Sequence, residues 1–90
     1  TAKKWFGLSA KQGNAIAQFN LGVVYAKGEG VPTDYVRAYA WLSTVAARGK
    51  ANGKKAKEIV TNLMASAKIA EAQKLSRGLW EKYVVPFQKE

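Results

Sequence analysis

Two stretches of this sequence hold residue types that could do chemistry. One is the glycine pair Gly28-x-Gly30, and the other is the basic run Arg48, Lys50, Lys54, Lys55 and Lys57. Glycine-rich loops can cradle phosphate on their backbone N–H groups, and clustered cations can hold a polyanion. The glycine pair lacks the third glycine and the preceding strand of a phosphate loop, so turn geometry is the better account of it. The basic run meets no acid until Glu58. It reads either as a solvated loop and outer helix face, or as an electropositive patch for nucleic acid, an anionic surface or an acidic protein.

Catalytic chemistry finds little to work with. Histidine and cysteine are both absent, which removes the commonest general base, thiolate nucleophiles, disulfides and the usual zinc ligands. The six acids, Glu29, Asp34, Glu58, Glu71, Glu81 and Glu90, form no closely spaced pair. Ser66 and Ser76 have no histidine to activate them. Trp5, Trp41 and Trp80, with Tyr25, Tyr35 and Tyr39, sit at helical spacing and read as packing residues rather than a base-stacking platform. The expectation is a non-enzymatic chain with no metal and no cofactor.

A chain of 90 residues, 48% hydrophobic, makes one small domain with a limited core. Its 15 Lys and Arg against 6 Asp and Glu give +9, which favours anionic partners in general without defining a site. No apolar run approaches the ~20 residues that span a bilayer. A start at Thr1 rather than Met fits a segment upstream, and the compartment, periplasmic or cytoplasmic, stays open.

The elements that must position these residues are helices. Residues 1 to 12 carry Ala2, Trp5, Phe6, Ser9 and Ala10 near helical spacing, and Gly13-Asn14 ends that run. In residues 15 to 27, Ala17, Leu21, Val24 and Tyr25 form a stripe for burial, while Ile16, Phe19, Asn20, Val23 and Lys27 occupy a mixed outer face. Gly22 suits close helix packing. Gly28 and Gly30 supply a turn, Val31-Pro32 an extended approach, and Thr33 or Asp34 a cap for the next helix. That helix, 34 to 48, buries Ala38, Trp41, Leu42, Val45 and Ala46, with Gly49 closing it. A fourth, 54 to 65, turns Ala56, Ile59, Val60, Leu63 and Met64 inward. A fifth, capped by Ser66, carries Ile69, Ala72, Leu75, Ser76, Leu79, Trp80 and Tyr83, with Pro86 just beyond it. Nothing alternates with period two for long. The fold class is all-α.

At an offset of 36 the sequence matches itself: Ala2 falls on Ala38, Trp5 on Trp41, Ala10 on Ala46, and Gly13 on Gly49. The Leu21-Gly22-x-x-Tyr25 motif has no second copy, so the repeat degenerates after Gly49, as terminal units do. Ala17-x-x-x-Leu21-Gly22-x-x-Tyr25-x-x-Gly28-x-Gly30-Val31, followed by Asp34, Ala38-x-x-Trp41 and Ala46-Ala47-x-Gly49, resembles the Sel-one-like repeat (SLR) family, a relative of the tetratricopeptide repeats. The lengthened glycine turn is what separates the two. Many secreted members carry cysteine pairs, which this chain lacks.

The resemblance implies an α-solenoid of antiparallel helix pairs forming a right-handed superhelix, here of about five helices. Residues 1–12 would be the second helix of a preceding repeat, 13–48 a complete repeat, and 49–90 the C-terminal capping helices found in bacterial members. The chain would then be part of a longer array. It also implies an adaptor or scaffold that binds a peptide or partner helix on the face lined by the first helix of each pair. In this sequence that face is Ile16, Phe19, Asn20, Val23 and Lys27. The helix holding Trp5 and Phe6 lacks a hairpin partner, so a second copy of the chain is another expected occupant of that edge.

Overall fold

A computed structural model describes residues 2–87, so the last three residues of the expected cap lie outside the described residues. Five helices follow one another: α1 (Ala2–Lys11), α2 (Ala15–Lys27), α3 (Tyr35–Ala47), α4 (Ala51–Thr61) and α5 (Ser66–Tyr83). A 3₁₀ turn, Val85–Phe87, closes the chain, and no strand occurs among the described residues.

Local chemistry sets the boundaries. The Asn14 side chain accepts from the Ala17 N–H at 2.9 Å, and Asp34 accepts from the Arg37 N–H at 3.1 Å, so each caps the helix it precedes. Gly28 and Gly30 lie at φ of 72° and 76°, the left-handed region that favours glycine. Their loop folds back so that the Asp34 N–H donates to the Tyr25 carbonyl at 3.0 Å, pinning the start of α3 to the end of α2. The glycine pair is a turn.

The organising element is α3, which packs against α2, α4 and α5. Ala38, Trp41, Leu42 and Val45 are buried as the periodicity predicts, but so are Tyr39, Ala40 and Thr44. A helix contacted on three sides has little outer face left, and burial therefore extends around it. Thr44 satisfies its hydroxyl within the helix, donating to the Ala40 carbonyl at 2.8 Å.

The last two helices depart from expectation. α4 begins at Ala51 rather than 54, because Gly53 lies inside it. A Cβ on Gly53 would sit 2.8 Å from both the Ala46 nitrogen and Val45 Cγ1, so only glycine lets α4 come this close to α3. Gly53→Ala is accordingly expected to cost about 1–3 kcal/mol, despite alanine's better helix propensity. A urea midpoint at or above that of the parent would refute this.

Of the five residues expected to face inward here, only Val60 is fully buried; α4 ends at Thr61 rather than 65, so Leu63 and Met64 fall in the turn beyond it, and Ile59 and Leu63 are 64% and 57% exposed. This helix leans mainly on α3, and one neighbour covers only a narrow strip. At α5, Ala65 rather than Ser66 occupies the N-cap position, and no side chain caps the helix. Of the expected α5 stripe only Ala72 is fully buried.

Candidate interaction surface

The end of the chain is tied to its beginning by a buried polar cluster. Gln18, with 0% of its surface exposed, donates through Nε2 to the carbonyls of Ala10 at 3.0 Å and Tyr83 at 3.1 Å. Arg48 Nη1 donates to the Gly13 carbonyl at 2.8 Å and to Gln18 Oε1 at 3.2 Å. One glutamine thus satisfies two carbonyls at the ends of α1 and α5, and the arginine following α3 completes the set. Val84 is buried, and the Phe87 ring lies over Gly13, where a Cβ would stand 2.6 Å from Phe87 Cγ.

Sequence reasoning missed Gln18. The signal was its place beside Ala17 on the side of α2 that buries Leu21, where a polar residue needs partners.

The five cations of the basic run separate once folded. Arg48 is half-buried in the cluster just described and is not part of an open patch. Lys57 is also half-buried, with its Nζ 5.5 Å from the Tyr39 ring centroid. Lys50, Lys54 and Lys55 remain exposed at the start of α4.

The five residues of the outer face of α2 divide as well. Phe19 is half-buried and packs on the core cluster of Ala38, Tyr39, Leu42 and Val60, so its ring serves the interior. Ile16, Asn20, Val23 and Lys27 follow one another at intervals of four, three and four residues, one line along the helix. Ile16 is 74% exposed, Lys27 is exposed, and Asn20 and Val23 are half-buried.

Ile16 and Asn20 also join Trp5, Phe6, Leu8 and Gln12 around a groove of about 530 Å³ along the α1–α2 seam. The two regions singled out separately in the sequence, the α2 face and the Trp5–Phe6 edge, therefore adjoin. The repeat-related tryptophans differ here: Trp41 is 6% exposed and Trp5 73%. Trp41 is covered by α5, where Tyr83 stacks on it at 5.8 Å between ring centroids, and the side chain of Trp5 meets no such cover.

Antiparallel helices joined by a long glycine turn define an α-solenoid of stacked hairpins. The Sel1 repeat model matches residues 1–14 and 15–50, and the chain belongs to the Sel1 repeat family. A solved structure similar to it is that of a protective antigen present in uropathogenic Escherichia coli strains, which displays an SLR fold. The two share 28% identity and a TM-score of 0.88 over 98% of this chain. This chain spans 21% of the length of that one. No curated protein matches the chain. Sel1 repeats are generally protein–protein interaction modules, and proteins built from them are typically non-enzymatic scaffolds. No described helix is long and apolar enough to cross a membrane, and no described group of acids could hold a metal ion.

Proposed function

We propose that this chain is a scaffold module that docks an amphipathic helix of a partner protein along α2 and the adjoining α1–α2 seam. In this reading residues 13–48 are the complete repeat, α1 is the second helix of the one before it, and residues from 49 onward are the cap. The observation that carries the proposal is the run of exposed apolar surface formed by Trp5, Leu8 and Ile16, with Gln12, Asn14 and Asn20 around it. Large apolar side chains gathered on one seam and edged by polar groups mark an interface. Tryptophan is also the residue type most enriched among binding hot spots.

A groove between two antiparallel helices suits a third helix, whose side-chain ridges fill it. The partner's anchors at i, i+3, i+4 and i+7 would rest on Ile16, Val23 and Leu8. Lys27, at the far end of the line, would face an acidic residue or the C-terminal carbonyls of the docked helix.

Selection of displayed helical peptides against the folded chain is expected to return sequences with that anchor pattern. Their affinity should fall about tenfold or more against Ile16→Lys, with the circular dichroism of the chain unchanged. If selection returns no such peptide, or Ile16→Lys binds as tightly as the parent, the reading fails. A parent chain that sediments as a dimer, and becomes monomeric with Ile16→Lys, would instead give the seam to a second copy.

A further inference from the structure

On the other flank of α1 lies a second groove, of about 410 Å³, walled by α1 and α5. α5 crosses α3 and touches α1 at only a few positions, so the two helices stand apart over the residues beneath. Tyr83, stacked over the buried Trp41, and Tyr25 form an aromatic floor, with Leu8 on the α1 side and Leu75 and Leu79 on the α5 side.

Gly7 lines the α1 side. A Cβ on Gly7 would find nothing within 4 Å, so neither packing nor backbone conformation demands glycine there. A glycine inside a helix lowers helix stability, and the effect of this one is to hold the groove open.

Among the described residues the lining contains two cations, Lys11 and Arg37, and no acid. Their places follow from the hydrogen bonds already described. The bond from Gln18 to the Ala10 carbonyl sets Lys11 beside the start of α2, and the bond from Asp34 to the Tyr25 carbonyl sets Arg37 beside its end. From Gln18 to Tyr25 the helix rises roughly 10 Å, at 1.5 Å per residue. Arg37 is held by an Nε contact of 3.2 Å to Asp34 and lies 5.9 Å from the Tyr25 ring centroid. Because Nε makes that contact, the two terminal nitrogens of the guanidinium are left to meet a second anion.

An apolar, aromatic floor with one cation toward each end calls for a ligand whose apolar middle is bracketed by carboxylates. Carboxylates roughly 10 Å apart correspond to three or four residues of extended chain, at ~3.3 Å each. We propose that this groove binds an extended acidic segment of a partner protein, in which two carboxylates flank leucine-sized side chains lying between Leu8 on α1 and Leu75 and Leu79 on α5. The groove shares Leu8 with the α1–α2 seam but is otherwise lined by other residues, and it takes an extended acidic segment rather than a helix.

The test titrates the blocked peptide acetyl-ELLAE-amide into the full chain, followed by two-dimensional amide NMR. Shifts are expected to concentrate at Gly7, Lys11, Tyr83 and the Trp41 indole. Gly7→Leu, which fills the groove, should weaken binding about tenfold or more, and Lys11→Glu should do the same while improving binding of acetyl-KLLAK-amide. Ile16→Lys, on the seam, should leave the affinity within about twofold of the parent. Shifts centred on Lys50, Lys54 and Lys55 would show general attraction to a basic chain and overturn the proposal. So would full binding retained by both Gly7→Leu and Lys11→Glu.

Discussion

Replacing Leu42 by alanine is expected to lower stability by about 3 kcal/mol and to reverse the sign of a second substitution, Gly22→Ala. Leu42 is 1% exposed, on the helix that packs against α2, α4 and α5. A Cβ on Gly22 would lie 2.8 Å from Leu42 Cγ, so in the parent chain Gly22→Ala forces the leucine aside and costs about 1–3 kcal/mol. With Leu42 cut back to alanine that obstacle is gone. The nearest remaining atom is the Ala38 carbonyl oxygen at 3.4 Å, which a methyl group meets with only a small adjustment.

In that background Gly22→Ala fills part of the cavity and gains the helix propensity of alanine, about 1 kcal/mol. It should therefore stabilise. A double-mutant cycle by urea denaturation reads the coupling directly, and additive effects would show that the two side chains do not share this space. For a domain of this size each kcal/mol moves Tm by roughly 4–8 °C, so both signs are measurable.

The second large effect belongs to Gln18. Gln18→Leu keeps much of the volume but strips the Ala10 and Tyr83 carbonyls of their donor, and Arg48 of one acceptor. A buried polar group left unpaired costs about 1–3 kcal/mol, so the expected total is about 3 kcal/mol. The loss should also have a location. α5 buries only Ala72 completely, and its C-terminal end is held by the tie at Tyr83 together with the Trp41 stack and the buried Val84.

Hydrogen exchange is expected to accelerate first in the last turn of α5, including the Val84 N–H bonded to Trp80, before α2 and α3 are affected. Uniform acceleration along the whole chain would show that Gln18 supports the global core rather than this closure. Unchanged stability would remove the cluster from the account altogether.

Much of this architecture is legible in the residues. Asp34 as a cap, Gly28 and Gly30 as a turn, and Leu42 and Val45 as core all depend on short-range rules, the dihedral preferences of glycine and the 3.6-residue period of a helix. The offset of 36 residues that pairs Trp5 with Trp41 is equally plain in the sequence.

Periodicity states which side chains share a face, but not whether anything arrives to cover it. Ile59 and Leu63 have the spacing of core residues and stand in solvent, Ile59 because α4 has one main neighbour and Leu63 because it lies in the turn after that helix. Trp5 and Trp41 occupy the same place in the repeat, yet only Trp41 lies beneath α5. Arg48 looks like a member of a cationic run until the fold brings it to Gly13 and Gln18, residues 35 and 30 positions away.

The sequence by itself therefore determined the five helices, the Asp34 cap, the hairpin turn and membership in a repeat family, since each is written within a few residues or in a repeated spacing. Only the tertiary structure decided which apolar faces remain open, where the cations end up, and that α5 crosses α3 toward α1 to leave a groove above Trp41. Burial and charge placement depend on contacts between residues far apart in the chain. The local pattern fixes a side chain's direction but not its neighbour.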